Sequence, residues 1–191
     1  MKLIAIYLLS MILFFGNCQE KKKPNTTAFL LVLVSLYTYP QNRVFQDLGT
    51  AINETIRLLY NRSIAGTIGS TVNVSGACSL GGTYTITGTA VPSSGNTTTN
   101  LTYVLNGCKE RYTSGSLTSE VALTGSIVQS GTVGAVTNYT RTSSSLVLKG
   151  TQANTFYSFG TPASIDRTCP VSITVTDTLF SSTVCGINYS F

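Results

Sequence analysis

From Ser63 to the C-terminus, apolar residues recur at every second position, and this period of two restricts the fold more than any other feature. Successive side chains of a strand point to opposite faces, so a period of two means strands with one buried and one solvated face. Ile68, Val72 and Val74 share one face, while Thr67, Thr71, Asn73 and Ser75 take the other. "GTYTITGTA" places Tyr84 and Ile86 inward and Thr83, Thr85, Thr87 and Thr89 outward. Further inward rows are Leu101, Tyr103 and Leu105; Val121, Leu123 and Ile127; Leu146 and Leu148; Val171, Ile173 and Val175; and Ile187, Tyr189 and Phe191, with one more strand over Ala135–Arg141. Connections such as "SLGG" and "PSSGNTT" are short and turn-like. The pattern predicts a mainly β (α+β) fold: a curved antiparallel meander of seven to eight strands, half-barrel or sandwich-like, packed on an N-terminal amphipathic helix.

That helix is predicted over Arg43–Tyr60, with Pro40 and Asn42 as starting signals. Val44, Leu48, Ile52, Ile56 and Leu59 form one apolar stripe, and Gln46, Asp47, Asn53, Glu54 and Arg57 fall elsewhere. In several strands an apolar residue is followed two positions later by glycine, at Gly76, Gly88, Gly107, Gly125 and Gly150. These glycines therefore point inward, where they mark a bend in the sheet or a close approach by another element. A sheet curving around the helix would produce both.

The chain has 191 residues, enough for one domain with a real core, and five cysteines. In a meander, Cys78 and Cys108 close the first and third strands at the same end, about two strand spacings apart, so a bridge between them requires the loops to relax. Cys169 and Cys185 then pair by elimination. A disulfide framework belongs to an oxidising compartment, and it leaves Cys18 over.

The N-terminus accounts for Cys18. Lys2 precedes an apolar run, Leu3–Phe15, that is 13 residues long, right for a secretory signal and too short to span a bilayer of ~30 Å. The run ends in Phe15-Gly16-Asn17-Cys18 rather than in small residues. These residues resemble the lipobox of bacterial lipoproteins, in its relaxed spirochaetal, Leptospira-type form. The resemblance covers about the first forty residues. It departs from the usual box at Phe15, where Leu is preferred, and at Asn17, where Gly or Ala is. It implies cleavage before Cys18, a diacylglycerol on its thiol, a fatty acid on its amine and an outer-membrane location. Lys21, Lys22 and Lys23 follow in "KKKPNTT", as a solvated tether or as a membrane-proximal basic group beside anionic headgroups. Residues 1–17 are then a signal peptide, 18–27 a lipidated tether, 28–62 an apolar segment and the amphipathic helix, and 63–191 the β-domain, with 28–191 one folded unit. The second apolar run, Ala28–Tyr37, is too short to cross a membrane. It docks on the domain or lies in the membrane surface.

Charge and composition narrow the function. From Ser63 on there are five basic residues (Lys109, Arg111, Arg141, Lys149, Arg167) and four acidic ones (Glu110, Glu120, Asp166, Asp177). Without a Lys/Arg cluster to displace counterions, nucleic acid is not an expected partner. Histidine is absent, which excludes Ser-His-Asp and Cys-His nucleophile arrangements and imidazole-ligated zinc. No cofactor or metal is expected. The "KERY" group, Lys109–Tyr112, reads as a solvated loop or part of a contact surface. The outward threonines suit a binding plane for ice or glycan, and equally an ordinary solvated strand. The expected function is that of a non-enzymatic envelope lipoprotein acting by binding or structural support, its partners membrane lipid through Cys18 and an unidentified protein or apolar ligand. The alternative is a carrier or chaperone holding a lipid or other apolar ligand on the concave face of the sheet.

Overall fold

The computed structural model describes residues 26–65, 70–154 and 162–191, with side chains described from Val44 onward. The signal segment, Cys18, Lys21–Lys23 and most of the 18–27 tether lie outside the described residues, as does Ile68. The chain divides at Leu36–Tyr37 into two compact units, inside the 28–62 segment rather than at its start, and the helix-and-sheet fold belongs to the second, Tyr37–Phe191.

Among the described residues one helix, α1, spans Thr26–Ser63. It starts far upstream of the Pro40 start signal, because the apolar run Ala28–Tyr37 is itself helical and joins the amphipathic segment. Pro40 lies inside the helix, where its ring nitrogen has no hydrogen to give to the helical ladder. No described helix is long and apolar enough to cross a membrane.

Nine strands follow among the described residues: β1 (Thr71–Ala77), β2 (Thr83–Ser93), β3 (Asn96–Lys109), β4 (Tyr112–Ser114), β5 (Leu117–Gly134), β6 (Asn138–Asn154), β7 (Ala163–Thr176), β8 (Phe180–Val184) and β9 (Ile187–Ser190). They form one antiparallel meander, open between β1 and β9, with β4 beside the start of β5. The strands at Ala135–Arg141 and Leu146–Leu148 are one strand, β6. A register shift between Ser143 and Leu146, seen against both neighbours, puts an extra residue into β6. Arg141 and Leu146 are an odd number of residues apart and would otherwise face opposite sides; the bulge turns both inward. A like shift between Leu105 and Cys108 keeps both of those inward on β3. Strand β8 escapes the alternation pattern because its central inward residue is Ser182.

Helix and sheet share one core. Leu48, Ile52, Ile56 and Leu59 are at most 1% exposed and cluster with Ile86, Leu101, Tyr103, Leu123, Ile127, Leu146 and Ile173. Burying each such side chain is worth ~1.5–3 kcal/mol. The helix crosses the sheet. Near its middle, the Gln152 side chain of β6 donates to the Val44 carbonyl at 3.0 Å. At its end, Ser63 Oγ and the Tyr84 hydroxyl of β2 lie 2.7 Å apart.

Of the glycines expected to point inward, Gly88, Gly125 and Gly150 lie against the backbone of a neighbouring strand rather than the helix, and at Gly107 an added Cβ would meet nothing within 4 Å. A Cβ on Gly88 or Gly150 would overlap the backbone carbonyl oxygen of Asn100 or Glu120 on the adjacent strand. Gly76 instead lies under the Tyr84 ring. The glycine that lets helix and sheet approach is on the helix: a Cβ on Gly49 would overlap the Ser182 side chain of β8. Phe191, expected inward, is 67% exposed and stacks on Phe180 with centroids 5.1 Å apart.

Both disulfides are formed. Cys78 and Cys108 have Cα atoms 5.4 Å apart, and Cys169 and Cys185 5.0 Å. The first closes because the β1–β2 loop folds onto the end of β3, where Leu80 N–H donates to the Lys109 carbonyl at 3.0 Å and Lys109 N–H to the Gly81 carbonyl at 2.9 Å.

Candidate functional site

One row of the inner face crosses five strands and carries polar side chains on three of them, β5, β6 and β8. Leu101 on β3 pairs with Gln129 on β5, Gln129 with Arg141 on β6, Arg141 with Ile173 on β7 and Ile173 with Ser182 on β8. Arg141 is 1% exposed, the largest fully buried side chain among the described residues. Its Nε donates to Gln129 Oε1 at 2.8 Å. Its Nη1 donates to the helix, to the Asn53 carbonyl at 2.7 Å and to Asn53 Oδ1. Its guanidinium carbon sits 4.5 Å from the centre of the Tyr139 ring, and the Tyr139 hydroxyl donates to Asn53 Oδ1 at 3.3 Å. Gln129 Nε2 donates to Thr99 Oγ1 at 3.1 Å, and the Tyr103 hydroxyl to Gln129 Oε1 at 3.4 Å.

These acceptors of Arg141 are all neutral, and among the described residues no carboxylate forms an ion pair with it. Burial lowers its pKa from the usual arginine value, and burial likewise raises that of Tyr103. A guanidinium stays charged in either case, so the fold holds a positive charge at its centre on amide and carbonyl oxygens. Towards the other end of β6, beside Val44 rather than Asn53, Gln152 is 3% exposed, and its Oε1 is a buried acceptor without a hydrogen-bond partner.

Asn53, which the sequence places off the apolar stripe, is 5% exposed, as is Thr55. The curled sheet covers more of the helix than one stripe. Of the buried polar side chains of the sheet, Ser119, Gln129, Arg141, Ser143, Gln152 and Ser182 belong to β5, β6 and β8, while Thr99 lies on β3 and Glu110 at the β3–β4 junction. The helix segment at Val44–Asn53 lies over these strands, whereas its end reaches β1–β3.

A second group fastens that end. "KERY" is not a solvated loop. Lys109 pairs with Ala122 and Tyr112 with Ser119 in one unbroken register, so β4 continues β3 across Glu110–Arg111. Arg111 and Lys109 pair with Glu120 on β5 at 2.5 and 3.4 Å. Glu110 is 3% exposed and accepts from the Ser79 N–H at 3.1 Å, from the Ser79 hydroxyl, and from Arg62 of the helix at 3.0 Å. Burial pushes the Glu110 carboxyl up, but these hydrogen bonds and the Arg62 charge outweigh it and hold the group below the usual range.

Of the residues singled out from sequence, the four β-domain cysteines are brought together in the expected pairs. Thr83, Thr85, Thr87 and Thr89 alternate with the buried residues of β2 and stay on the outer face, where Thr87 continues across the sheet through Thr102, Val128, Thr142, Ser172 and Thr183. The grouping of Arg141, Gln129 and Asn53 is not visible in the sequence. Counting alternation back from Leu146 sends Arg141 outward, and nothing in the Ser143–Ser145 run announces the bulge. No family model, curated protein or solved structure matches this chain.

Proposed function

We propose that this chain is a non-catalytic lipoprotein of the bacterial envelope, held on the outer membrane by acyl groups on Cys18, whose β-domain acts by binding or structural support. The observation that carries the reading is the use of the cysteines: Cys78, Cys108, Cys169 and Cys185 are joined in two disulfides. They suit an oxidising compartment and leave Cys18, directly after the apolar run, as the odd thiol. Two or three acyl chains anchor stably where one does not, and Lys21–Lys23 add attraction to anionic headgroups. The absence of histidine supports a non-catalytic role. Metabolic labelling with a fatty-acid analogue tests the anchor: label on wild type and none on Cys18→Ala is expected, and equal label on both contradicts it.

A second reading, a carrier for an apolar ligand, is favoured by one observation. The face joining Val44–Asn53 to β5, β6 and β8 sets the buried polar groups Gln129, Arg141, Gln152 and Ser182 among the apolar Leu48 and Ile52, and a few polar groups in apolar surroundings are the make-up of a ligand site. Native mass spectrometry of the protein extracted from membranes tests this: a co-purifying small amphiphile supports the carrier, and the bare chain at every detergent concentration speaks against it.

A further inference from the structure

We propose that Arg141 marks a binding site for a single-chain amphiphile with a carboxylate head, such as a fatty acid, and that the helix occupies this site in the present structure, with Asn53 standing where the head group would lie. The inference rests on the carrier reading and names its ligand class and its site.

Three observations carry it. First, a guanidinium that is 1% exposed rests on neutral acceptors, the Gln129 and Asn53 oxygens. Buried charges are expensive unless paired, and an arginine fork matches a planar carboxylate with two parallel hydrogen bonds. Asn53 places two oxygens, its side-chain Oδ1 and its backbone carbonyl, on the single nitrogen Nη1, so the guanidinium is met by neutral oxygens without the two parallel bonds that a carboxylate would make across the fork. Secondly, Gln152 Oε1, on the same strand, is a buried acceptor with no partner, so the contact between helix and sheet is incomplete there. Thirdly, the two ends of the contact differ. Arg62, Glu110 and Ser79 fasten the helix end to β1–β3, whereas Val44–Asn53 rests on polar groups of β5, β6 and β8. Ligand entry then requires the Val44–Asn53 segment to lift, withdrawing Leu48 and Ile52 from the core and releasing the bonds from Gln152 and Arg141, while the end stays fixed.

The head-group charge follows from the site. One buried positive charge is neutralised by a monoanion; a phosphate monoester, with about −1.5 to −2 at neutral pH, would leave surplus charge in the core. The tail would replace Leu48 and Ile52 against Leu146, Ile173 and Val184, apolar inward residues of β6, β7 and β8.

The test uses the full chain in phosphatidylcholine vesicles, a photoactivatable palmitate and the corresponding alcohol, with labelled peptides mapped by mass spectrometry. The acid is expected to label β6–β8 at least tenfold more than the alcohol does. Arg141→Met is expected to lower that labelling at least tenfold, Arg141→Lys to keep it within threefold of wild type, and Asn53→Ala to raise it. If Arg141→Met fails to fold, the acid-to-alcohol ratio on wild type and the Asn53→Ala result decide. Equal labelling of these strands by acid and alcohol overturns the head-group site and leaves an apolar carrier standing. No labelling of these strands by either probe overturns both.

Discussion

Glu110 shows how much one residue can tie together. It joins the helix end, the β1–β2 loop and the β3–β4 junction through Arg62 and Ser79. Its folded pKa is lowered, so its contribution is present above the unfolded carboxylate value of about 4.3 and is lost as pH falls through the folded one. Glu110→Gln should lower stability at pH 7 by about 1–3 kcal/mol. It should also flatten the decline in melting temperature between roughly pH 5 and pH 3 relative to wild type, which a pH series of thermal melts would read. A glycine pair makes a second contrast. Gly88 has φ +131° and faces the Asn100 carbonyl oxygen, whereas at Gly115, with φ +55°, an added Cβ would meet nothing within 4 Å. Gly88→Ala should cost more than about 2 kcal/mol, against about 1 kcal/mol for Gly115→Ala; urea titrations of the two variants would separate them.

Among the elements, the helix matters most, because an isolated helix with this stripe is marginal in water and gains its stability from the sheet. Ile52 is 1% exposed. Ile52→Asp places an unpaired charge in the core and should cost several kcal/mol, a large part of a typical domain's ~5–15 kcal/mol. Glu54 is 18% exposed and pairs with Arg57, which is 53% exposed, so Glu54→Ala removes one half-solvated ion pair and should cost about 1 kcal/mol or less, far below Ile52→Asp. Thermal melts of the pair check this; equal melting of Ile52→Asp and wild type would remove the helix from the core. The stripe is legible in the sequence, since Leu48, Ile52, Ile56 and Leu59 repeat at helical spacing. The burial of Asn53 is not, because it depends on how far the sheet curls round the helix. Likewise the inward rows of β2, β3 and β5 follow from alternation alone. Strand β6 does not, because its bulge reverses the parity between Arg141 and Leu146, and the reversal conceals a charged side chain that reaches the centre of the inner face.

At the scale of the whole molecule, two disulfides fasten the ends of the meander. Cys78–Cys108 ties the β1–β2 loop to β3, and Cys169–Cys185 ties β7 to the β8–β9 turn. Replacing Cys78 and Cys108 together by alanine should cost ~2–4 kcal/mol, read as a lower urea midpoint. Disulfides in the β-domain and an acylated Cys18 are parts of one claim, that the chain is exported and anchored. Intact-mass spectrometry of the protein extracted from membranes, before and after reduction, tests both parts at once. The expected mass is that of residues 18–191 plus a diacylglyceryl group and one acyl chain, less one pair of hydrogens for each disulfide, and reduction should restore those hydrogens. A chain that keeps residues 1–17, carries no lipid mass or gains nothing on reduction would contradict the claim.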